Sequence, residues 1–427
     1  MATFSRDSLN PGVAPREVFG WAMYDFANSG YTTVVLTAVF NAYFVSVVAE
    51  RAEWATLAWT VALSISCILV MLTAPRIGAY TDRNKAKKKV MLISTIGCVA
   101  ATAALATTGP GMVVWAMLAI IASNYCFAIG ETLNSAFLPE LARTDALGKV
   151  SGWGWSFGYF GGMLSLGLCL AYVLTSQKSG ASASQFVPVT MLITAGIFAL
   201  ASLPTFLLLK ERGSSTFVEE KRLSWAEVKQ YPAFYKLLWC GVSYQAGISV
   251  VIALAAVYAE QAMGFKQAQT MALIFIVNIA AALGAFLFGY YQDRIGHQRG
   301  LAITLIGWIA MVLLAGLSTN IAVFWFAAAL AGVCMGSSQS CGRAMVGALA
   351  PKDRVGEFFG LWAFACRFSA IVGPLTYGIV TWVTAGNHRL AIMVTGLFFV
   401  IGLVILRTIN LPGPYETSPQ VPSSRGT

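Results

Sequence analysis

The sequence predicts an all-α integral membrane protein with twelve transmembrane helices in two pseudo-symmetric six-helix bundles. Hydrophobic residues make up 57% of the chain and charged residues 11%, whereas soluble proteins carry about 25% charged residues. Twelve stretches are apolar over about 20 residues, the length that a helix needs to cross a bilayer. A loop pattern that recurs about half a chain apart indicates that the second bundle repeats the first.

The twelve apolar segments follow one another along the chain. In the first half they lie near Val18–Val48, Thr56–Ala79, Val90–Thr107, Met112–Leu138, Val150–Thr175 and Val187–Leu209. In the second half they lie near Phe234–Ala259, Ala268–Tyr291, Leu301–Leu317, Ile321–Leu349, Phe358–Thr384 and Leu390–Ile409.

Polar segments divide the chain into five parts. We predict an N-terminal tail, a first bundle, a linker, a second bundle and a C-terminal tail, at residues 1–17, 18–209, 210–233, 234–410 and 411–427. The linker includes an amphipathic stretch, LSWAEVKQYPAFYKLL, which is expected to lie on the membrane surface. The last segment is rich in proline and serine and is expected to be disordered.

The positive charges predict the orientation. If both termini are cytoplasmic, most of the 28 basic residues lie in the tails and the cytoplasmic loops, as the positive-inside rule requires. The net charge of +10 then reflects topology and contact with anionic membrane lipid, so no nucleic-acid partner is expected. A bacterial inner (plasma) membrane is the expected location.

The repeated loop pattern closes the second segment of each half. A glycine stands four residues before an Asp–Arg pair, and basic residues follow at once. The residues are Gly78, Asp82 and Arg83 in the first copy, and Gly289, Asp293 and Arg294 in the second. We predict that both copies act in gating, through ion pairs and helix-end contacts on the cytoplasmic side.

Four ionisable residues stand out inside apolar segments, where charge is costly unless it is paired or hydrated. They are Asp25, Glu131, Arg343 and Arg367. Counting from helix ends predicts that the first three share one layer near the cytoplasmic side, with Arg367 nearer the middle. The alternatives are structural: a helix-start contact for Asp25, an internal salt bridge for Glu131, and a side chain that reaches the headgroups for Arg343.

Polar side chains on the same segments suggest a hydrated pathway. Together with the two arginines they form the predicted substrate-binding set: Tyr24, Asn28, Tyr31, Asn124, Asn134, Tyr244, Gln245, Gln339, Arg343 and Arg367. Arginine presents a fork of donors that suits carboxylate or phosphate, so the expected solute carries an anionic or zwitterionic group. The alternative for any single amide is a hydrogen bond between helices.

Glu131 is the predicted proton carrier, with Asp25 as the alternative, because a carboxyl group in a cavity of low dielectric favours its protonated form. Aligning Pro139 with Pro351 sets Glu131 opposite Arg343 in the repeat. We therefore predict that Glu131 and Arg343 interact, directly or through the solute, in at least one state.

Other kinds of site find little support. The chain has eight cysteines without a CxxC pair and only two histidines, so no metal site or disulfide framework is expected. No Walker sequence is present, so transport would depend on a gradient, and no cofactor or enzymatic activity is expected.

Longer segments resemble a known family. The repeated loop resembles the signature loop of the major facilitator superfamily. GWAMYDFANSGYTTVV, TLNSAFLPELA, SGWGWSFGYFGG and EFFGLWAFACRFSAIVGPL resemble its vacuole-effluxer-like branch, the family of the autophagy-related vacuolar amino-acid exporter and its bacterial relatives. The resemblance implies the major facilitator fold, a central cavity lined by helices one, four, seven and ten, and amino acids as the first substrate class to consider.

The predicted function is secondary active transport of a small polar solute by alternating access. A proton or sodium ion is the expected coupling ion, and a monomer is expected to suffice. The alternatives are a channel or scramblase, and a receptor or scaffold that transports nothing. The repeat and the charges of both signs on cavity helices favour the transporter, since a channel would show a repeated selectivity segment.

Overall fold

The computed structural model describes residues 5–212, 223, 225–265 and 267–409. In this part of the chain, twelve helices are long and apolar enough to cross a membrane, which confirms the predicted fold class. They are α1 Pro15–Val48, α2 Ala55–Asn84, α3 Lys87–Thr107, α4 Val113–Leu141, α5 Thr144–Lys178, α6 Ala183–Leu208, α7 Pro232–Met263, α8 Gln267–Ile295, α9 His297–Leu317, α10 Ile321–Leu349, α11 Val355–Val383 and α12 His388–Arg407.

Several helices begin before the apolar stretch that predicted them. Helix α3 begins at Lys87 instead of Val90, and α11 begins at Val355 instead of Phe358. Helical hydrogen bonding continues into the polar residues at the membrane surface, where hydropathy no longer signals a helix. The C-terminal tail and residues 213–222 of the predicted linker lie outside the described residues.

The described helices form two bundles, each with its own apolar core. One core surrounds Trp21 and Phe198 in the first half of the chain, and the other surrounds Trp308 and Phe399 in the second half. Between the bundles, α2 packs along α11 and α5 packs along α8. These two seams determine how the halves meet.

Within the first bundle, glycines of α5 allow this helix to approach α1 closely. A Cβ at Gly158 would meet the side chain of Ser29, and a Cβ at Gly161 would meet the backbone of Phe26. Helix α5 therefore contacts α1 almost backbone to backbone, as small residues on one helix face permit. This contact brings the polar residues of α1 next to those of α5.

Candidate functional site

Two ion pairs join the two bundles. Asp25 of α1 pairs with Arg343 of α10 at 2.7 Å, and Glu131 of α4 pairs with Arg367 of α11 at 2.8 Å. In each pair the acid comes from the first bundle and the base from the second. All four intramembrane charges singled out in the sequence thus meet a partner across the interface.

The Asp25–Arg343 pair is buried, with only 10% and 5% of the two side chains exposed. Arg343 also donates from Nε to the hydroxyl of Ser151 at 3.1 Å and from Nη2 to the Ser151 carbonyl at 2.9 Å. The side-chain amide of Asn134 donates to the Asp25 carboxylate at 2.9 Å. Both charges are therefore hydrogen-bonded on several sides, as burial of an ion pair requires.

Two tryptophans flank the Arg343 guanidinium. Its Cζ atom lies 4.8 Å from the ring centre of Trp21 and 5.2 Å from that of Trp155, within the range of cation–π attraction. A Cβ at Gly154 would collide with both Asp25 and Arg343, so glycine at this position provides the space that the pair occupies. Neither tryptophan was singled out in the sequence, although both lie in segments that carry the family resemblance.

The Glu131–Arg367 pair is more accessible, with 32% and 20% of the side chains exposed. Arg367 donates from Nη2 to Glu131, and its Nε is buried without a hydrogen-bond partner among the described residues. Its Cζ atom lies 5.8 Å from the ring of Phe127. Arg367 thus retains donor capacity that its partner does not use.

This second pair lies deep in the bundle. Arg367 is about 18 Å along the axis from the start of α11 at Val355, at about 1.5 Å per residue. Arg367 is therefore close to the midpoint of this 29-residue helix. Its depth near the middle of the membrane stays a prediction.

The predicted partner of Arg343 differs from the observed one. In this conformation Arg343 pairs with Asp25, and Glu131 pairs with Arg367, so the predicted direct contact between Glu131 and Arg343 is not formed. The common layer of Asp25, Glu131 and Arg343 stays a prediction, since Glu131 is less than one helical turn from Asn134, whose amide donates to Asp25. Counting from helix ends and aligning the repeat give no helix rotation or tilt, and these decide which acid a long arginine side chain meets.

The Asp82 carboxylate meets the start of α11. It accepts hydrogen bonds from the backbone amides of Gly356 and Glu357 at 2.9 Å each, and Lys87 lies 3.2 Å away. Amides at a helix N-terminus have no partner within the helix and carry partial positive charge, so they suit a carboxylate. Asp82 thus connects the first bundle to the second.

The second copy of the loop pattern makes the equivalent contact, this time from the second bundle to the first. Asp293 accepts from the amides of Gly148 and Lys149, near the start of α5, at 2.8 Å each. A Cβ at Gly78 would collide with the backbone of Gly356, and one at Gly289 would lie 2.9 Å from the Gly148 carbonyl. The glycine of each pattern is therefore the point where two helices approach closely enough for the aspartate to reach.

The arginines of the two loop patterns, Arg83 and Arg294, are exposed. Lys87, which follows the first copy, is engaged in ion pairs. Lys87 bridges Asp82 and Glu140, the latter at 2.9 Å, and its backbone amide donates to Glu211 at 2.7 Å. Glu140 also accepts from the backbone amide of Arg212 at 3.0 Å. The two adjacent pairs of the loop pattern, Asp82–Arg83 and Asp293–Arg294, both lie at this end of the protein, which we call the charged end.

Predicted polar residues of the first bundle mostly bond within it. Asn134 reaches the buried pair, whereas three others bond to neighbouring helices: Tyr24 to Thr95, Tyr31 to Ser123 and Asn124 to Ser66. Asn28 is buried, and its Oδ1 has no hydrogen-bond partner among the described residues. Substrate binding by these residues stays a prediction.

In the second bundle, the predicted residues lie on α7 and α10. Gln245 and Gln339 bond to each other, with a shortest distance of 2.9 Å. Tyr244 is fully buried, and its hydroxyl has no partner among the described residues. The described hydrogen bonds do not link these residues to either ion pair. Their role in substrate binding also stays a prediction.

Comparison with known proteins supports one family over most of the chain. The model of the vacuole effluxer Atg22-like family matches residues 55–413. An MFS-type transporter of Bacillus subtilis, YxiO, is 27% identical over 416 residues, covering 94% of this chain and 95% of that protein. Autophagy-related protein 22 of Kluyveromyces lactis is 21% identical over 393 residues, covering 82% of this chain and 78% of that protein.

Solved structures share the fold at low sequence identity. The human organic anion transporter MFSD10 has a TM-score of 0.70 at 14% identity, covering 92% of this chain and 99% of that chain. The proton:xylose symporter XylE bound to 6-bromo-6-deoxy-D-glucose has a TM-score of 0.71 at 12% identity, covering 92% and 95%. These similarities establish the two-bundle architecture and carry no statement about the solute.

Proposed function

Because this chain belongs to the vacuole effluxer Atg22-like family of major facilitator transporters, we propose that it is a secondary active transporter for a small organic anion or zwitterion. The family and the twelve apolar helices of the described residues make it a multi-pass membrane transporter. We propose the solute class, the energy source and the orientation in the membrane.

The observation that supports the solute class is the Glu131–Arg367 pair. Arg367 is partly exposed, lies close to the midpoint of α11 and has an Nε donor without a partner among the described residues. A carboxylate or phosphate can accept two parallel hydrogen bonds from such a fork. We propose that the anionic group of the solute binds Arg367 and competes with Glu131 for it.

The same competition provides a route to coupling. When the solute's anion takes Arg367, Glu131 loses the positive charge that stabilises its ionised form, and protonation becomes more favourable. Binding of solute and proton would then support each other. Asp25 is the alternative carrier, although in this conformation its carboxylate is fully engaged by Arg343 and Asn134.

Alternating access requires that the halves part at one end while they close at the other. The contacts of Asp82 and Asp293 close the charged end in this conformation. We propose that this end faces the cytoplasm, that both termini are cytoplasmic and that the membrane is the bacterial inner membrane. Opening inward would break both aspartate contacts.

A solute screen followed by flux tests the proposal. Thermal stability of the purified protein is measured with amino acids first, then with other organic acids and with sugars, because a bound solute raises the melting temperature. Hits are tested for uptake into proteoliposomes with and without a proton gradient. Saturable uptake of an anion or zwitterion is expected, whereas a sugar as the only ligand, or flux that never saturates, contradicts it.

The Glu131→Gln variant tests the coupling. An amide cannot carry the proton, so the variant should lose gradient-driven accumulation but keep exchange of solute across the membrane. The control is Glu53→Gln, which removes an exposed carboxylate away from both ion pairs and from the charged end and should keep full accumulation. Full accumulation by Glu131→Gln would rule out Glu131 as the carrier.

A further inference from the structure

Five groups of the first bundle surround the Arg343 guanidinium. The rings of Trp21 and Trp155 flank it, the Asp25 carboxylate pairs with it, and both the hydroxyl and the carbonyl oxygen of Ser151 accept from it. Aromatic faces together with a carboxylate are the recurrent means of binding organic cations in proteins. Arg343 itself is the only member of the cluster that belongs to the second bundle.

The surroundings of this cluster are held without Arg343. The indole Nε1 of Trp21 donates to the Asn134 carbonyl at 2.7 Å, and the Asn134 amide donates to Asp25 at 2.9 Å. Trp155 and Ser151 lie on the same helix, α5, which packs closely on α1. We call Trp21, Trp155, Asp25 and Ser151 the cage. The contacts that hold Trp21 and Asp25 are internal to the first bundle, whereas the Ser151 hydroxyl also donates to the Ser340 carbonyl of α10 at 3.0 Å. We therefore expect the two rings and the carboxylate to keep their arrangement when α10 moves.

We propose that Trp21, Trp155, Asp25 and Ser151 form a cation site of the first bundle, which Arg343 fills in this conformation and which receives the cationic group of the solute when the halves part. This rests on the proposed alternating movement of the two bundles. When Arg343 withdraws, the carboxylate is left in a confined site and favours another cation, since an unpaired buried charge is costly. The flanking rings favour an organic ammonium or guanidinium group over a strongly hydrated ion.

The site also narrows the solute class. Arg367 offers donors for an anionic group, and the cage offers acceptors for a cationic group, so the combination suits a zwitterion better than a simple anion. The indole Nε1 of Trp155 is buried without a hydrogen-bond partner among the described residues, and this N–H can donate to an acceptor atom of the solute but not to its cationic group. Arg343 thereby acts as an internal competitor of the ligand.

The Arg343→Ala variant tests the site because it empties the cage without altering any of its groups. Its melting temperature is measured in detergent with methylguanidinium, tetramethylammonium or sodium chloride at equal millimolar concentration. We expect methylguanidinium to raise it by several degrees, with tetramethylammonium next, and sodium to have little effect. The wild type, whose cage is filled, should not respond.

The control variant combines Arg343→Ala with Asp25→Asn, which removes the acidic group of the cage. It should show no shift with any of the three salts. The proposal is overturned if no organic cation stabilises Arg343→Ala, if sodium does so equally well, or if the double variant responds in the same way. If Arg343→Ala cannot be purified alone, extraction with methylguanidinium should recover monodisperse protein, and failure to recover it also contradicts the proposal.

This readout does not depend on transport. Cation binding by Arg343→Ala without flux in the wild-type protein would contradict the proposed transport function and support the cation site. Saturable flux in the wild-type protein without cation binding by Arg343→Ala would support the transport function and contradict the cation site.

Discussion

Each of the two ion pairs that join the bundles combines a carboxylate of the first bundle with an arginine of the second, but the two pairs differ in exposure. Asp25–Arg343 is buried, and the described contacts engage Nε, Nη1 and Nη2 of its arginine. Glu131–Arg367 is partly exposed, and its arginine has an Nε without a partner among the described residues. An arginine inside the membrane whose donors are all engaged can hold the two halves together. An arginine with a donor to spare can bind a ligand, so the hydrogen bonds of the guanidinium distinguish the two cases.

Removing the acid of each pair should give the largest difference. Asp25→Asn leaves Arg343 buried without a counter-charge, which we expect to cost about 3–5 kcal/mol of stability. Glu131→Gln leaves a partly exposed arginine that water can reach, so we expect about 1 kcal/mol or less. Melting temperatures of the two variants in the same detergent measure the difference, and equal losses would remove the distinction between the pairs.

Filling the space beside the buried pair should give a smaller effect. Gly154→Ala places a methyl group against Asp25 and Arg343, which we expect to cost about 1–3 kcal/mol, as overpacking does. Gly167→Ala on the same helix is the matched control, because a Cβ there meets no atom within 4 Å. The control should be neutral or gain up to about 1 kcal/mol from helix propensity. A fall in melting temperature in both variants would point to the helix itself and not to the ion pair.

The sequence alone was sufficient for the fold, because hydropathy is a local property and each helix is apolar over a whole membrane thickness. It was also sufficient to find the four charges, since each stands out in an apolar segment. The pairing of Asp25 with Arg343 was not predictable, because helix rotation is set by packing such as that of Gly158 against α1. The place of Trp155 beside a guanidinium depends on the same packing.

At the charged end, too, the sequence predicted some contacts and missed others. Recurrence of the loop pattern indicated contacts at helix ends, and the structure places Asp82 and Asp293 at the starts of α11 and α5. The bridge from Lys87 to Glu140 was missed, because the two residues are far apart in the chain and nothing in the local pattern links them.

Neutralising the aspartates of the charged end should favour its opening. Hydrogen bonds to a charged group contribute about 1.5–3 kcal/mol, of which an amide retains a part, so we expect about a tenfold rise in the open population for Asp82→Asn and Asp293→Asn. The reporter is Ser340→Cys, which is buried between α10 and α5, in a chain whose native cysteines are replaced. Faster labelling is the expected result.

Thr395→Cys serves as the control reporter, because Thr395 is buried inside the second bundle and bonds to its own helix. Its labelling should not change in either aspartate variant. Equal acceleration at both reporters would indicate general loosening, and no acceleration at Ser340→Cys would contradict the role of the two aspartates in holding this end closed.

The division of work between the two arginines is tested most directly by replacing each with lysine and measuring the melting temperature with and without the solute found in the screen. Lysine keeps the charge but loses the fork of donors. We predict that Arg367→Lys changes the melting temperature of the unliganded protein little and abolishes the shift caused by the solute, whereas Arg343→Lys lowers the unliganded melting temperature strongly and keeps the shift. A full solute shift in Arg367→Lys, or its loss only in Arg343→Lys, would contradict this division between the two arginines.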